Sequence, residues 1–384
     1  MNGKEERLKK LSEKVIFISG GGTGGHIYPA LAIANKLYDH SFKVFYIGNP
    51  KNLEYKIFKH SIPDISFLPI SITGMPRKFS FGFINWIFKL NIAIIKSVYY
   101  FLKYRPLGLF TTGGYVSAAP IIASILTKVP YVMHDSDAIP GLVSRVFSKY
   151  AKVVNLNYSE AKQYIKCKEI TVFGNPLREV FLNCNNENYF DKLDLDKNKL
   201  IIFAMGGSQG ARTINYSILP IVKKIIDTNR VQIIIQTGQK NYEDSILKLK
   251  EFYPNYDKDK NLIIKPYFDN IHEILATADL VISRAGSLSL SEINATSTAA
   301  ILIPYPKAAS NHQMKNAQAQ KNSNAAVIIS DQDCNSETLY NSILDLINNQ
   351  DKLNTMKFNS CKLSNPKALD NIIKTFLIAI GEEK

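Results

Sequence analysis

Cysteine is scarce in this chain of 384 residues: there are four, Cys167, Cys184, Cys334 and Cys361, and no two form a C-x-x-C pair. That spacing excludes a zinc-ribbon pattern and a disulfide framework, and it points to a reducing compartment. The opening MNGKEERLKKLSEK is charged and lacks an apolar core, so no secretory signal is expected. Acids are the minority charge, 33 Asp and Glu against 47 Lys and Arg, which draws the protein toward anionic surfaces or phosphorylated substrates. No aromatic-interleaved basic patch or recognition helix accompanies that excess, so nucleic acid is not the expected partner. Hydrophobic residues at 46% and charged residues at 21% are ordinary for a globular chain, and a prior of about 150 residues per domain gives two or three domains.

What is there is a repeated strand-and-helix alternation. Apolar strand patterns at 14–19, 43–48, 107–114, 130–135, 152–157 and 169–176 are separated by helical spacing at 27–38 and 118–126, which describes an α/β domain with a parallel sheet over 1–182. The polar stretch 183–199 reads as a linker. A second cycle over 200–364 opens with LIIFAMGGSQGAR and continues with strands near 231–236, 261–265, 280–283, 300–304 and 325–329. Two doubly wound, Rossmann-like domains facing each other across a cleft are the expected architecture, with residues 365–384 crossing back onto the first domain.

Residues 81–104, FGFINWIFKLNIAIIKSVYYFLKY, are apolar apart from Lys89, Lys96, Lys103 and Asn85, which fall within a stripe of about 40° on a helix. Three lysines make a membrane span too costly. A crossover helix buried against the sheet is expected in its C-terminal part. Its N-terminal edge, with Arg77, Lys78, Phe79, Phe81, Phe83 and Trp86, is expected to dip into an anionic membrane surface.

The first glycine turn, GGGTGGH at 20–26, satisfies G-x-G-x-x-G through Gly20, Gly22 and Gly25. A dinucleotide site would place an acid at the end of the second strand, but none occurs before Glu54. The turn is therefore expected to cradle a diphosphate without a nicotinamide cofactor, and His26 adds an ionisable group there. In SRAGSLSLSE (283–292) a strand ends at Gly286 and a helix begins at Ser287, with Glu292 placed to meet ribose hydroxyls.

These segments, with GGYVS (113–117), GNPLR (174–178), GGSQGAR (206–212) and NHQMKNA (311–317), resemble in order and spacing the MurG family of peptidoglycan transferases. The resemblance implies a GT-B fold and inverting transfer of N-acetylglucosamine from UDP-N-acetylglucosamine to undecaprenyl-pyrophosphoryl-N-acetylmuramoyl-pentapeptide, with no obligatory metal or other cofactor. It implies that Ser208, Gln209, Ser287, Leu288 and Ser289 hold the UDP diphosphate, Glu292 the ribose, Arg178 and Phe268 the uracil, and His312 and Gln313 the sugar. Thr23, Gly24, Gly25 and Asp137 join the donor-binding set. Gly21, Gly22, Gly25, Gly113, Gly114 and Tyr115 are expected on the acceptor's pyrophosphate, and His26 as the base. It further implies a peripheral protein on the cytoplasmic face of the plasma membrane, with cell-wall synthesis proteins as partners.

One departure stands out. Where the family reads H-E-Q-N, this chain has His134-Asp135-Ser136-Asp137. Asp137 thus replaces an asparagine expected on the donor sugar and is an alternative base. The D-x-D spacing also resembles a GT-A metal motif, which the two-domain layout contradicts. A GT-B transferase acting on a glycerolipid is the alternative within enzymes; a nucleotide or nucleic-acid binding module is the alternative outside them.

Overall fold

The computed structural model describes residues 14–62, 65–76, 81–183, 187–207 and 210–383. The chain divides into two units, the first made of residues 1–178 and 367–384, the second of residues 179–366.

The first unit is built on strands β1 (Val15–Ser19), β2 (Lys43–Gly48), β3 (Ser66–Pro69), β4 (Gly108–Thr111), β5 (Tyr131–Asp135), β6 (Val153–Leu156) and β7 (Ile170–Val172). They form one sheet in the order β3-β2-β1-β4-β5-β6-β7, and every pairing is parallel. Their central stretches are apolar on both faces, as a parallel sheet covered by helices requires: Ile16, Phe17 and Ile18 are all fully buried. Strand β3 and the helix Leu53–Ser61 were not foreseen, because a four-residue strand and a short helix carrying two lysines and a histidine leave little periodicity to detect.

The second unit repeats the scheme with β8 (Leu200–Met205), β9 (Val231–Gln236), β10 (Leu262–Lys265), β11 (Leu280–Ser283), β12 (Ala299–Leu302) and β13 (Ala326–Ile328), ordered β10-β9-β8-β11-β12-β13 and again all parallel. The polar stretch expected to be a linker contains a helical turn, Glu187–Lys192, whose Lys192 pairs with the largely buried Glu273.

In each sheet the strand order reverses once, between β1 and β4 and between β8 and β11. Loops leaving the carboxyl ends of the strands on either side of a reversal diverge to opposite faces, and the crevice they open is where such sheets bind ligands. All four turns at these two positions are among the glycine motifs singled out in the sequence: 20–25 after β1, 112–117 after β4, 206–212 after β8 and 284–289 after β11.

The last helix, Ala368–Ala379, belongs to the first unit. Its apolar face, Leu369, Ile372, Ile373, Phe376 and Leu377, joins the core formed by β1, β2 and the Gly24–Asp39 helix. Phe376 meets Phe110 edge to face at 5.5 Å. Asp370 pairs with Lys36, and Thr375 Oγ1 donates to Asn155 Oδ1 at 3.2 Å.

Residues Phe81–Tyr104 form one continuous helix. Ala93, Ser97 and Phe101 are buried, but Ile84, Phe88, Ile95 and Leu102, spaced along the opposite face, are each more than 60% exposed. The buried positions all lie in the C-terminal half and none of the described side chains at 82–92 is buried, so the expected burial of the C-terminal part is seen, on one face only. Trp86 is held by its indole N–H on Thr73 O at 2.9 Å and stacked with Phe83 at 5.7 Å, so the aromatic pair braces the helix start while the aliphatic residues face outward. Arg77, Lys78 and Phe79, and the side chain of Phe81, lie outside the described residues. Among the described residues no helix is long and apolar enough to cross a membrane.

Replacing Phe376 by Ala is expected to destabilise the first unit by about 3–5 kcal/mol, the range for deleting a buried aromatic side chain. Replacing the exposed Phe358 is expected to change stability by less than about 0.5 kcal/mol. Urea denaturation of the two variants checks the contrast.

Candidate active site

In the first unit the two glycine turns are locked together through Thr112 and His26. Thr112 Oγ1 donates to His26 O at 2.7 Å, and His26 Nδ1 lies 2.7 Å from Thr112 O. A carbonyl oxygen only accepts, so Nδ1 carries the proton and Nε2 presents a lone pair. His26 sits in the first turn of the Gly24–Asp39 helix, which has no acid in that turn to compete with a bound anion.

The turns approach too closely for side chains. Gly22 has φ +93°, and a Cβ there would lie 2.6 Å from the Tyr115 ring; Gly114 has φ +76°, and its Cβ would lie 2.2 Å from Gly21 O. Tyr115 is anchored by Asn52, whose amide donates to its hydroxyl at 2.9 Å, and burial raises its pKa above the ordinary phenol value. The expected acceptor set, Gly21, Gly22, Gly25, Gly113, Gly114 and Tyr115, is thus brought together with His26 at the reversal between β1 and β4.

Asp135, at the end of β5, is buried and turned onto its own loop. Its Oδ1 accepts from Asp137 N and its Oδ2 from Gly141 N, both at 3.1 Å. The carboxyl pKa is raised by burial first and by the charge of Asp137 second, while His26 pulls the other way. Asp135 is therefore a brace for the loop that carries Asp137, and this use of both its oxygens disfavours the D-x-D metal reading. His134 beside it is fully buried, with Nε2 2.9 Å from Asn175 Oδ1, which ties the GNPLR segment to β5. Burial pushes its pKa down to about 4. Arg178, expected at the uracil, belongs to the first unit, with its guanidinium 4.9 Å from the centre of the Tyr28 ring. Thr23, Gly24, Gly25 and Asp137, expected on the donor, are in that unit as well.

In the second unit the helix Ser287–Ala295 starts at Gly286 without a side-chain cap, and Leu290 N donates to Gly286 O at 3.0 Å. Amides ahead of that first bond are the ones a helix N-terminus offers to an anion. Ser287, Leu288 and Ser289 occupy that turn, and Glu292 is buried within the same helix. Ser208 and Gln209 lie outside the described residues; Gly207 and Gly210, on either side of them in the sequence, both have φ +75°. Phe268 is buried, its N–H bonded to Gln236 Oε1 at 3.0 Å. His312 begins the helix His312–Asn322, and Gln313 Oε1 accepts from Tyr305 N at 2.9 Å.

Several residues that the sequence reading passed over hold these parts in place. Gln236 is buried and bridges two turns, donating to Gly207 O at 3.3 Å while accepting from Phe268 N. Asn316 is buried and donates to Ala285 O at 3.2 Å, fastening the His312–Asn322 helix to the turn after β11. Arg284 pairs with Asp331 and donates to Ile303 O at 3.0 Å. Arg284 and Asn316 fall inside motifs already quoted, so they were within reach. Gln236 and Thr112 had no signal beyond ending, or directly following, an apolar strand.

His134 predicts a pH effect with a definite sign. It is neutral in the fold, whereas the unfolded side chain protonates near 6.5, so stability falls as pH drops from 6.5 toward 4, by about 3 kcal/mol in full. Asp135 opposes this, because a raised carboxyl pKa favours the fold at lower pH. The difference between wild type and His134→Asn isolates the histidine: the variant is expected to lose stability less steeply over that interval in denaturation measured across pH.

Comparison with known proteins shows the family and the fold. The Glycosyltransferase family 28 N-terminal domain matches residues 16–155, and the Glycosyltransferase family 28 C-terminal domain matches residues 201–372. A protein of Desulforamulus reducens named UDP-N-acetylglucosamine--N-acetylmuramyl-(pentapeptide) pyrophosphoryl-undecaprenol N-acetylglucosamine transferase is 37% identical over 360 residues, covering 93% of this chain and 96% of the relative. A protein of the same name from Halothermothrix orenii is 36% identical, covering 94% and 97%. The crystal structure of Acinetobacter baumannii MurG superposes with a TM-score of 0.74 at 25% identity, covering 95% of this chain and 99% of that one. The chain therefore belongs to the MurG family of UDP-N-acetylglucosamine transferases, with a two-domain GT-B fold.

Proposed function

We propose that this chain transfers N-acetylglucosamine from UDP-N-acetylglucosamine to the C4 hydroxyl of undecaprenyl-pyrophosphoryl-N-acetylmuramoyl-pentapeptide, inverting the anomeric carbon. The observation that carries the reading is the near full-length match to transferases of that name. The residue roles follow the family resemblance, and the geometry of the turns supports those of His26, of the glycines and of the helix start at Ser287.

The acceptor's pyrophosphate is bound by the paired turns Gly20–Gly25 and Gly113–Tyr115. His26 Nε2 takes the proton of the C4 hydroxyl as its oxygen attacks the sugar C1. The bond from C1 to the UDP oxygen breaks, and the charge left on the diphosphate is met by the helix N-terminus at Ser287, Leu288 and Ser289 and by Ser208 and Gln209. Glu292 accepts from the ribose hydroxyls, and Phe268 and Arg178 border the uracil. His312 and the amide N–H groups of Gln313 serve the sugar hydroxyls. Asp137 presents a carboxylate to the donor, an acceptor-only group. No metal is assigned an obligatory role, since the helix end and backbone amides supply the positive potential.

The protein is placed at the cytoplasmic face of the plasma membrane, held there peripherally. The outward stripe Ile84, Phe88, Ile95 and Leu102, with Lys89, Lys96 and Lys103 on the same helix, supplies an apolar contact flanked by positive charge.

With purified protein, labelled donor and the lipid-linked acceptor, transfer is expected in the presence of EDTA. His26→Ala is expected to lower kcat by about 10²–10⁴-fold, the usual contribution of a general base, with UDP binding retained. Product formation only after a divalent cation is restored contradicts the metal-free reading, and unchanged kcat in the variant contradicts the base assignment. For the membrane contact, replacing Ile84, Phe88 and Ile95 with serine is expected to abolish sedimentation with anionic vesicles; undiminished sedimentation removes that face from the account.

A further inference from the structure

Glu54 is the acid that the opening glycine pattern lacked at the end of β2. It lies in the first turn of the Leu53–Ser61 helix and is fully buried. A dinucleotide site would turn this acid outward to a ribose. Here it lies beneath the first glycine turn: a Cβ added to Gly21 would meet Glu54 Oε1 at 3.0 Å and Cδ at 3.1 Å. Oε1 accepts from the Asn49 backbone N–H and from the Asn52 side-chain amide, both at 3.3 Å. The same Asn52 amide donates to the Tyr115 hydroxyl at 2.9 Å, and the Tyr115 ring is the surface that a side chain at Gly22 would strike. One carboxylate thus underlies both turns, directly through Gly21 and indirectly through Asn52 and Tyr115.

The second oxygen, Oε2, is buried without a hydrogen-bond partner among the described residues. A buried carboxylate with an unmatched oxygen is costly, and an apolar side chain of similar size would fill the space without that cost. The cost is offset only if the polar end has work to do at the turns it supports.

We propose that Glu54 is a positioning residue for the acceptor's diphosphate, fixing the turns Gly20–Gly25 and Gly113–Tyr115 as one anion cradle through the Asn52–Tyr115 relay. The inference rests on the reading that those turns bind the acceptor. Glu54 supports the turn under Gly21, of the acceptor set, while a Cβ at Gly24 or Gly25, expected on the donor, would not meet it, so its effect falls on acceptor binding more than on the donor.

The test is steady-state kinetics of the full chain, varying lipid-linked acceptor and UDP-N-acetylglucosamine separately, with thermal melts as a check on folding. Glu54→Ala is expected to raise the acceptor KM by about tenfold or more while the donor KM stays within about twofold. Glu54→Gln keeps an oxygen in the Oε1 position and is expected to restore the acceptor KM to within about threefold of wild type. Asn52→Ala, at a half-buried position, is expected to raise the acceptor KM alone and to a smaller extent; it carries the test if Glu54→Ala does not fold.

An acceptor KM unmoved in both Glu54→Ala and Asn52→Ala overturns the proposal. So does a Glu54→Gln variant as impaired as Glu54→Ala, since charge rather than placement would then be at work. Gly22→Ala separates this from failure of the underlying reading. If it leaves the acceptor KM unchanged, the turns do not bind the acceptor and the Glu54 inference falls with that reading. If it raises the acceptor KM while Glu54→Ala does not, only the role of Glu54 is refuted.

Discussion

Two hydrogen bonds between Thr112 and His26 set the geometry on which the first unit's chemistry depends. Parallel strands deliver β1 and β4 side by side at the point where strand order reverses, and their exits must diverge there. Thr112 prevents the two exits from separating by binding His26 through backbone and side chain at once. The same contact decides which imidazole nitrogen carries the proton. Architecture and acid-base chemistry are thereby coupled: loosening the turn would also release the tautomer.

The second unit solves the corresponding problem with other residues. At the reversal between β8 and β11 no histidine bridges the turns among the described residues; buried amides do, with Gln236 linking Gly207 to Phe268 and Asn316 linking the turn after β11 to the helix that carries His312 and Gln313. Each is buried, where a neutral amide can satisfy both a donor and an acceptor without the desolvation cost of a charge. The contrast fits the proposed division of labour. A unit that moves a proton needs a titratable group at its turns, whereas one that binds a nucleotide needs rigid amides and a helix end.

Legibility in the sequence followed the strength of local patterns. The long apolar strands and the glycine turns were readable because buried parallel strands are continuously hydrophobic and tight turns admit few residue types. The helix at Phe81–Tyr104 was readable in extent but not in orientation, since an apolar majority around its circumference does not say which side the sheet covers. The role of Asp135 was hidden for a related reason: its carboxylate bonds its own loop, and D-x-D spacing alone cannot distinguish a brace from a ligand. Glu54 was noted only as an acid in the wrong place for a dinucleotide site; that it lies under Gly21 depends on how the Leu53–Ser61 helix packs, which no local pattern records.

The most direct measurement is the tautomer of His26 in the folded protein, read from imidazole nitrogen chemical shifts of ¹⁵N-histidine-labelled protein at pH about 8, where a free imidazole is neutral, with the signal assigned by its loss in His26→Gln. The account predicts a proton on Nδ1 and an unprotonated Nε2, opposite to His134, whose Nε2 faces an amide oxygen. A proton on Nε2 of His26 would contradict it, because the nitrogen assigned to accept the acceptor's proton would already be occupied.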